Sequence, residues 1–169
     1  STGMATLEEI NEAVECARSN GCKSLALLKC VSVYPAQHKD LNLNSINYLK
    51  KKFNCEVGFS DHTIGIGASI AAVTLGANII EKHFTLSKNN SGLDSKFSSD
   101  PKELEQLVKE ANNAKKAIGK VFFGPVKLEK KSKLRRRSIY CIKDIKKGDK
   151  FSFENIKKLR PGYGIAPKY

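Results

Sequence analysis

Residues 55–84 read CEVGFSDHTIGIGASIAAVTLGANIIEKHF, and the rhythm of this stretch decides the fold. Cys55 to Ser60 has the short, apolar character of a buried strand. Ile64 to Ala77 reads as an apolar helix, and Asn78-Ile-Ile-Glu-Lys-His-Phe84 as the next strand. A helix between two apolar strands is the crossover of a parallel βα unit. Thr63 to Ile80 carries no charge, yet it contains Ser69, Thr74, Asn78 and three glycines. A membrane span needs roughly 20 predominantly apolar residues, so a buried helix running into a buried strand explains it better.

The alternation continues outward on both sides. From Thr6 to Asn20, Leu7, Ile10, Ala13, Val14 and Ala17 recur at helical spacing, Thr6 with Glu9 forms a capping box, and Gly21 stops the helix. Ser24 to Cys30 is a strand, and Leu43 to Phe53 a helix with Ile46, Leu49 and Phe53 on one face. Asp100 as N-cap, Pro101 and Glu103 open a last helix, whose stripe is Leu104, Leu107, Val108, Ala111 and Ile118 before Gly119. The fold class is α/β with a parallel sheet, and a doubly wound sheet and a (β/α)8 barrel both fit. A whole barrel takes about 250 residues, so these strands amount to half of one. Glycine-rich phosphate fingerprints are absent, since Gly65-Ile-Gly67 lacks the third glycine.

After Gly119 the character changes. Residues 1–119 hold 14 Lys+Arg against 13 Asp+Glu, whereas residues 120–169 hold 16 against 4. A block such as Lys127 to Arg137 fits phosphate neutralisation, a solvated linker or a lid over an anionic substrate. No zinc-finger spacing or Gly/aromatic RNA-binding motif accompanies it, so nucleic acid is not the expected partner. The expected organisation is a βα domain over 1–119, a basic linker over 120–134 and a small β-rich domain over 135–169. In the last, Arg137 to Ile142 is a strand, Lys146 to Asp149 a hairpin turn, Phe151 to Phe153 the returning strand and Glu154 to Leu159 a short helix. The five cysteines are odd in number and form no CxxC, which favours free thiols in a reducing cytoplasm. No basic and apolar leader opens the chain, and Ser1-Thr-Gly reads as the middle of something longer.

Polar residues gather just past the strand ends: Ser32 and Tyr34, then Asp61 and His62, then His83. Barrel enzymes carry their sites at that edge. Adjacent parallel strands lie about 4.8 Å apart, so His62 and His83 can meet on one metal ion with an open coordination shell; the alternative is two polar loop histidines. Alternation sends Glu81 and His83 to one face and Lys82 to the other. Glu81 then either binds something or pairs with a lysine elsewhere, and His38 is a solvent-facing loop residue.

Several motifs together resemble the sialic acid synthase family. They are Ser-Thr-Gly-Met at 1–4, Cys-Val-Ser-Val-Tyr-Pro at 30–35, Gly-Phe-Ser-Asp-His-Thr at 58–63 and Glu-Lys-His-Phe-Thr at 81–85. Leu-Asp-Ser at 93–95, Arg-Arg-Ser at 136–138, Asp-Ile-Lys-Lys-Gly at 144–148 and Arg-Pro-Gly at 160–162 follow in order. The resemblance implies a (β/α)8 TIM barrel joined to an antifreeze-like (SAF) domain, and condensation of phosphoenolpyruvate with an N-acylated amino sugar. It implies that the chain starts near the end of the fifth strand, holds strands six to eight and part of the SAF domain, and is inactive alone. His62 and His83 match the family's ligands for Mn2+ or Mg2+. Ser1 and Ser60 match positions that hydrogen-bond phosphoenolpyruvate, Tyr34 and Asp94 face the acceptor sugar, and Glu81 is a carboxylate of the same pocket. Arg160 matches an arginine extended into the partner subunit of a domain-swapped homodimer. Ser32 stands where neuraminate-type members commonly have Asn, and Gly92-Leu-Asp-Ser95 where neuraminate and legionaminate members tend to read Gly-Pro-Asp-His. With Leu28-Lys-Cys30 and Asp94-Ser-Lys-Phe-Ser98, these departures look more like the pseudaminic acid branch.

Overall fold

The computed structural model describes residues 1–89 and 92–169, which form two compact units, 1–119 and 120–169. In the first, helices α1 (Leu7–Ser19), α2 (Ser45–Phe53), α3 (Gly67–Thr74) and α4 (Pro101–Ile118) alternate with strands β1 (Ala26–Cys30), β2 (Glu56–Asp61) and β3 (Ile79–Lys82). The strands form one parallel sheet in the order β1-β2-β3. The expected capping box at Thr6 is present, and the expected N-cap Asp100 forms a second one with Glu103. Thr6 Oγ1 accepts from the Glu9 amide while Glu9 accepts from the Thr6 amide, and Asp100 and Glu103 do the same for α4.

The elements are shorter than the periodicity predicts, and the reasons are local. The Asp61 carboxylate takes both the Thr63 amide, at 2.8 Å, and the Thr63 hydroxyl, at 2.7 Å. That bond pair fixes a turn where the apolar run would otherwise continue as helix, so α3 starts only at Gly67. Likewise Asn42 takes a left-handed φ of 48°, and α2 begins after it.

Strand register separates two faces. Val57 and Phe59 of β2 lie fully buried against Ile46, Leu49 and Phe53 of α2 and Ala68 and Ala72 of α3. Burial of each large side chain contributes about 1.5–3 kcal/mol. On the other face Cys30, Ser60 and Glu81 stand in one register row. Gly58 is required one step earlier, because a Cβ there would lie 2.5 Å from the Ile79 carbonyl oxygen. Past β3, Phe84 bridges Ser99 in parallel, and the Ser99 amide donates to the His83 carbonyl at 2.8 Å. The segment before α4 is thereby tied to the end of β3.

In the second unit, Lys127–Arg135 winds as successive 3-10 turns, and β4 (Ser138–Cys141) pairs antiparallel with β5 (Ile156–Leu159). The returning strand is therefore not Phe151–Phe153, and Glu154–Leu159 is not a helix. The Asn155 side chain accepts from the Ser152 amide at 2.8 Å and the Ser152 carbonyl accepts from the Asn155 amide at 3.1 Å. This turn uses residues 152–155, so pairing begins at Ile156 opposite Cys141. Phe153 is left 96% exposed. Among the described residues no helix is long and apolar enough to cross a membrane.

Candidate functional site

The sheet delivers its chemistry at the carboxyl ends of the strands. Ser60 and Glu81 are register partners, and the Ser60 hydroxyl donates to Glu81 Oε1 at 2.7 Å. Glu81 thus has a serine for a partner rather than a lysine. Lys82 points to the opposite face, as alternation requires, and pairs there with Asp61.

His62 is buried, and its Nδ1 lies 2.8 Å from the Val31 carbonyl oxygen. A carbonyl only accepts, so Nδ1 carries the proton and Nε2 keeps a free lone pair. That Nε2 lies 3.4 Å from Ser60 Oγ. His83 is a third exposed, and its Nδ1 lies 3.3 Å from Asp94 Oδ2. In the neutral ring, a carboxylate there favours the tautomer with the proton on Nδ1, in which Nε2 carries the lone pair. The two rings stand 5.2 Å apart, centroid to centroid, at 83°. Carbonyl or carboxylate oxygens beside Nδ1 are the usual companions of metal-binding imidazoles. Among the described residues no group of three or more His, Cys, Asp or Glu side chains converges on one point. The donor set therefore fits a divalent ion as a pair of nitrogens, with oxygens from water or substrate completing the shell.

An aromatic wall lines the pair. Tyr34, which precedes a cis proline, lies tilted at 36° to His62 with ring centroids 4.3 Å apart, and the Phe97 ring centroid lies 5.1 Å from that of His83 and 5.7 Å from that of Tyr34. Sequence reasoning passed over Phe97; its one signal was an aromatic residue amid the polar run 94–99. Thr2 ties the first residues to β1, its amide donating to the Leu28 carbonyl and its hydroxyl accepting from the Cys30 amide. Gly3 takes a φ of 45°, and a Cβ on it would lie 3.0 Å from Ser32 Oγ. Ser32 therefore sits against the opening loop, while Ser1 itself is exposed. Asp94 turns its carboxylate to His83. Arg160 belongs to the second unit, exposed just beyond β5, and His38 lies exposed on a 3-10 turn.

A parallel βα sheet with imidazoles, a serine–carboxylate pair and an aromatic wall at its carboxyl edge is of the βα-repeat class that carries ligands there. More narrowly, the chain belongs to the NeuB family, whose profile matches residues 1–122. It is 45% identical over 172 residues to the pseudaminic acid synthase of Campylobacter jejuni, covering 100% of this chain and 49% of that one. To the N,N'-diacetyllegionaminic acid synthase of the same species it is 46% identical over 169 residues, covering 98% and 51%. The crystal structure of an N-acetylneuraminic acid (sialic acid) synthetase from Leptospira borgpetersenii superposes with a TM-score of 0.69 at 38% identity. That match covers 77% of this chain and 45% of the other. The chain spans about half the length of the curated relatives it matches. The family resemblance carried by the motifs is the family found.

Proposed function

We propose that the protein to which this chain belongs is a nonulosonic acid synthase that condenses phosphoenolpyruvate with an open-chain acylated amino sugar. In the reaction C3 of phosphoenolpyruvate bonds to the aldehyde C1 of the sugar, water adds to C2, and the C2–O bond breaks to release inorganic phosphate. The observation that carries this reading is the pairing of His62 and His83 at the strand ends, rings 5.2 Å apart, with each Nδ1 turned to a carbonyl or carboxylate oxygen and away from the pair's shared ligand side. Together they would hold Mn2+ or Mg2+, which when bound would supply Lewis acidity toward an aldehyde oxygen.

The chain's own residues do the rest. Ser60 reaches phosphoenolpyruvate by turning its hydroxyl hydrogen from Glu81 to the anion, with Ser1 and Ser32 on the same side of the pocket. Tyr34 offers an aromatic face to the sugar. Asp94 sets one oxygen beside His83 Nδ1 and presents its second oxygen to sugar hydroxyls, and Glu81 is the carboxyl acceptor within the pocket. On this reading residues 1–119 are the C-terminal half of a (β/α)8 barrel, 120–134 the linker and 135–169 part of the SAF domain. Arg160 then serves the partner subunit of a domain-swapped homodimer in the cytoplasm.

The sugar we favour is 2,4-diacetamido-2,4,6-trideoxy-altrose, which yields pseudaminic acid. Ser32, Ser95 and the Asp94–Ser98 motif support it, and Ser95 lies buried within the loop that carries Asp94. The alternative is an N-acetylmannosamine-type sugar leading to neuraminate or legionaminate. Phosphate release by the full-length protein with Mn2+ tests both. Chelator-sensitive release with the altrose derivative alone is expected. Release with N-acetylmannosamine keeps the mechanism and overturns the sugar, and release with neither overturns the reading.

A further inference from the structure

Behind the site, on the opposite face of the same two strands, Asp61 and Lys82 form an ion pair that the proposed chemistry does not use. Their side chains are 0% and 3% exposed, with Oδ2 and Nζ 3.2 Å apart. They are register partners. Asp61 lies between Ser60 and His62, and Lys82 between Glu81 and His83. The carboxylate also accepts from the Ser69 hydroxyl of α3 at 2.6 Å. Thr63, the residue after His62, is gripped three times. Its amide and hydroxyl donate to Asp61, and its carbonyl accepts from Lys82 Nζ at 2.6 Å.

The backbone on both sides of His62 is thus pinned to the strand position just before His83. A buried ion pair is weak support for stability, because desolvation offsets most of its attraction and an apolar pair of similar size does as well. Its distinctive product here is geometry, since the pair sets the path of the chain through His62 relative to β3. It also has an electrostatic consequence. Lys82 alone would place a desolvated positive charge one strand thickness from a site for a dication, and Asp61 neutralises it.

We infer that Asp61 and Lys82 are positioning residues that set the mutual placement of the His62 and His83 imidazoles, and through it the affinity for a divalent cation. The second half of this inference rests on the metal reading above; the first half does not.

The test uses the full-length protein and two readouts besides activity: Mn2+ binding followed by electron paramagnetic resonance, and nitrogen NMR of the histidine rings. Asp61→Asn keeps the shape and Lys82→Met the length while each removes one charge. Both are expected to weaken Mn2+ binding by about 10–100-fold, the usual cost of losing an outer-shell partner, and to alter the His62 ring spectrum. Lys82→Arg, which keeps the charge, is expected to recover most of the affinity. Should either charge-removing variant fail to fold, Ser69→Ala takes one bond from Asp61 and is expected to weaken binding by a few-fold. Folded variants with unchanged affinity and unchanged ring spectra overturn the inference. If the unsubstituted protein takes up no Mn2+, the metal reading fails and the ring spectra alone decide the positioning role: altered in the variants they support it, unaltered they overturn it.

Discussion

The two faces of β2 and β3 handle polar groups in opposite ways. On the helix-covered face Asp61, Thr63, Ser69 and Lys82 are buried or nearly so, and they spend their hydrogen bonds on one another. On the other face Ser60 and Glu81 hold each other, yet each imidazole has only its Nδ1 against a carbonyl or carboxylate oxygen, and Tyr34 remains half exposed. Residues one apart in sequence therefore have different work. A polar group whose capacity is filled by its own fold holds the fold, whereas one left with a free lone pair at the strand ends is available to a ligand.

Phe59→Ala attacks the first face and should have the largest effect. Emptying a fully buried phenylalanine site costs about 3–5 kcal/mol of unfolding free energy, read by denaturant titration of the full-length protein. A loss under about 1 kcal/mol would mean that α2 and α3 do not form one core with β2.

His83→Ala attacks the second face. Phosphate release should fall by more than about 100-fold, with the unfolding free energy moving by no more than about 0.5 kcal/mol. A large stability loss with normal turnover would reverse the roles assigned to the faces. Gly58→Ala tests the seam where they meet. Its new Cβ must push β3 away at the Ile79 carbonyl, and overpacking of this kind costs about 1–3 kcal/mol. The same shift separates His62 from His83, so Mn2+ affinity should fall with stability; an unshifted melting curve would show that the sheet gives way freely.

The smallest effect concerns Lys29, in register with Phe59 on the helix-covered face. Burial pushes its ammonium down from the ordinary lysine value, with a weaker opposing influence from Cys30. Below the lowered value both the folded and unfolded chains bind the proton and the desolvation penalty is full. As pH rises from there toward the ordinary value the unfolded chain holds more protons, so stability rises. Lys29→Met should raise the melting temperature slightly at neutral pH and flatten that alkaline rise. An unchanged profile would place the ammonium in water.

How much of this was legible in the sequence differs between the units. In 1–119 the caps at Thr6 and Asp100, the strand–helix order and the placement of Glu81 and His83 on one side of the sheet follow from local chemistry and period, and they stand in the structure. In 120–169 the apolar signal is thin: Ser138 is the sole buried residue. Phe151-Ser-Phe153 alternates like a strand, but the Ser152–Asn155 turn takes those residues and moves the pairing to Ile156–Leu159.

Within the site the division has the same cause. Sequence alone determined the family, through motifs spread along nearly the whole chain, and it determined the face on which each strand residue lies, because a period of two is a property of the backbone. Partners are a different matter. That Asp61 meets Lys82, that Ser60 rather than a lysine meets Glu81, that Asp94 meets His83 and that Phe97 closes the wall depend on strand register and on where each crossover sets the chain down. Both come from packing α2 and α3 against the sheet and α4 against α3, a long-range balance that no local run of residues encodes.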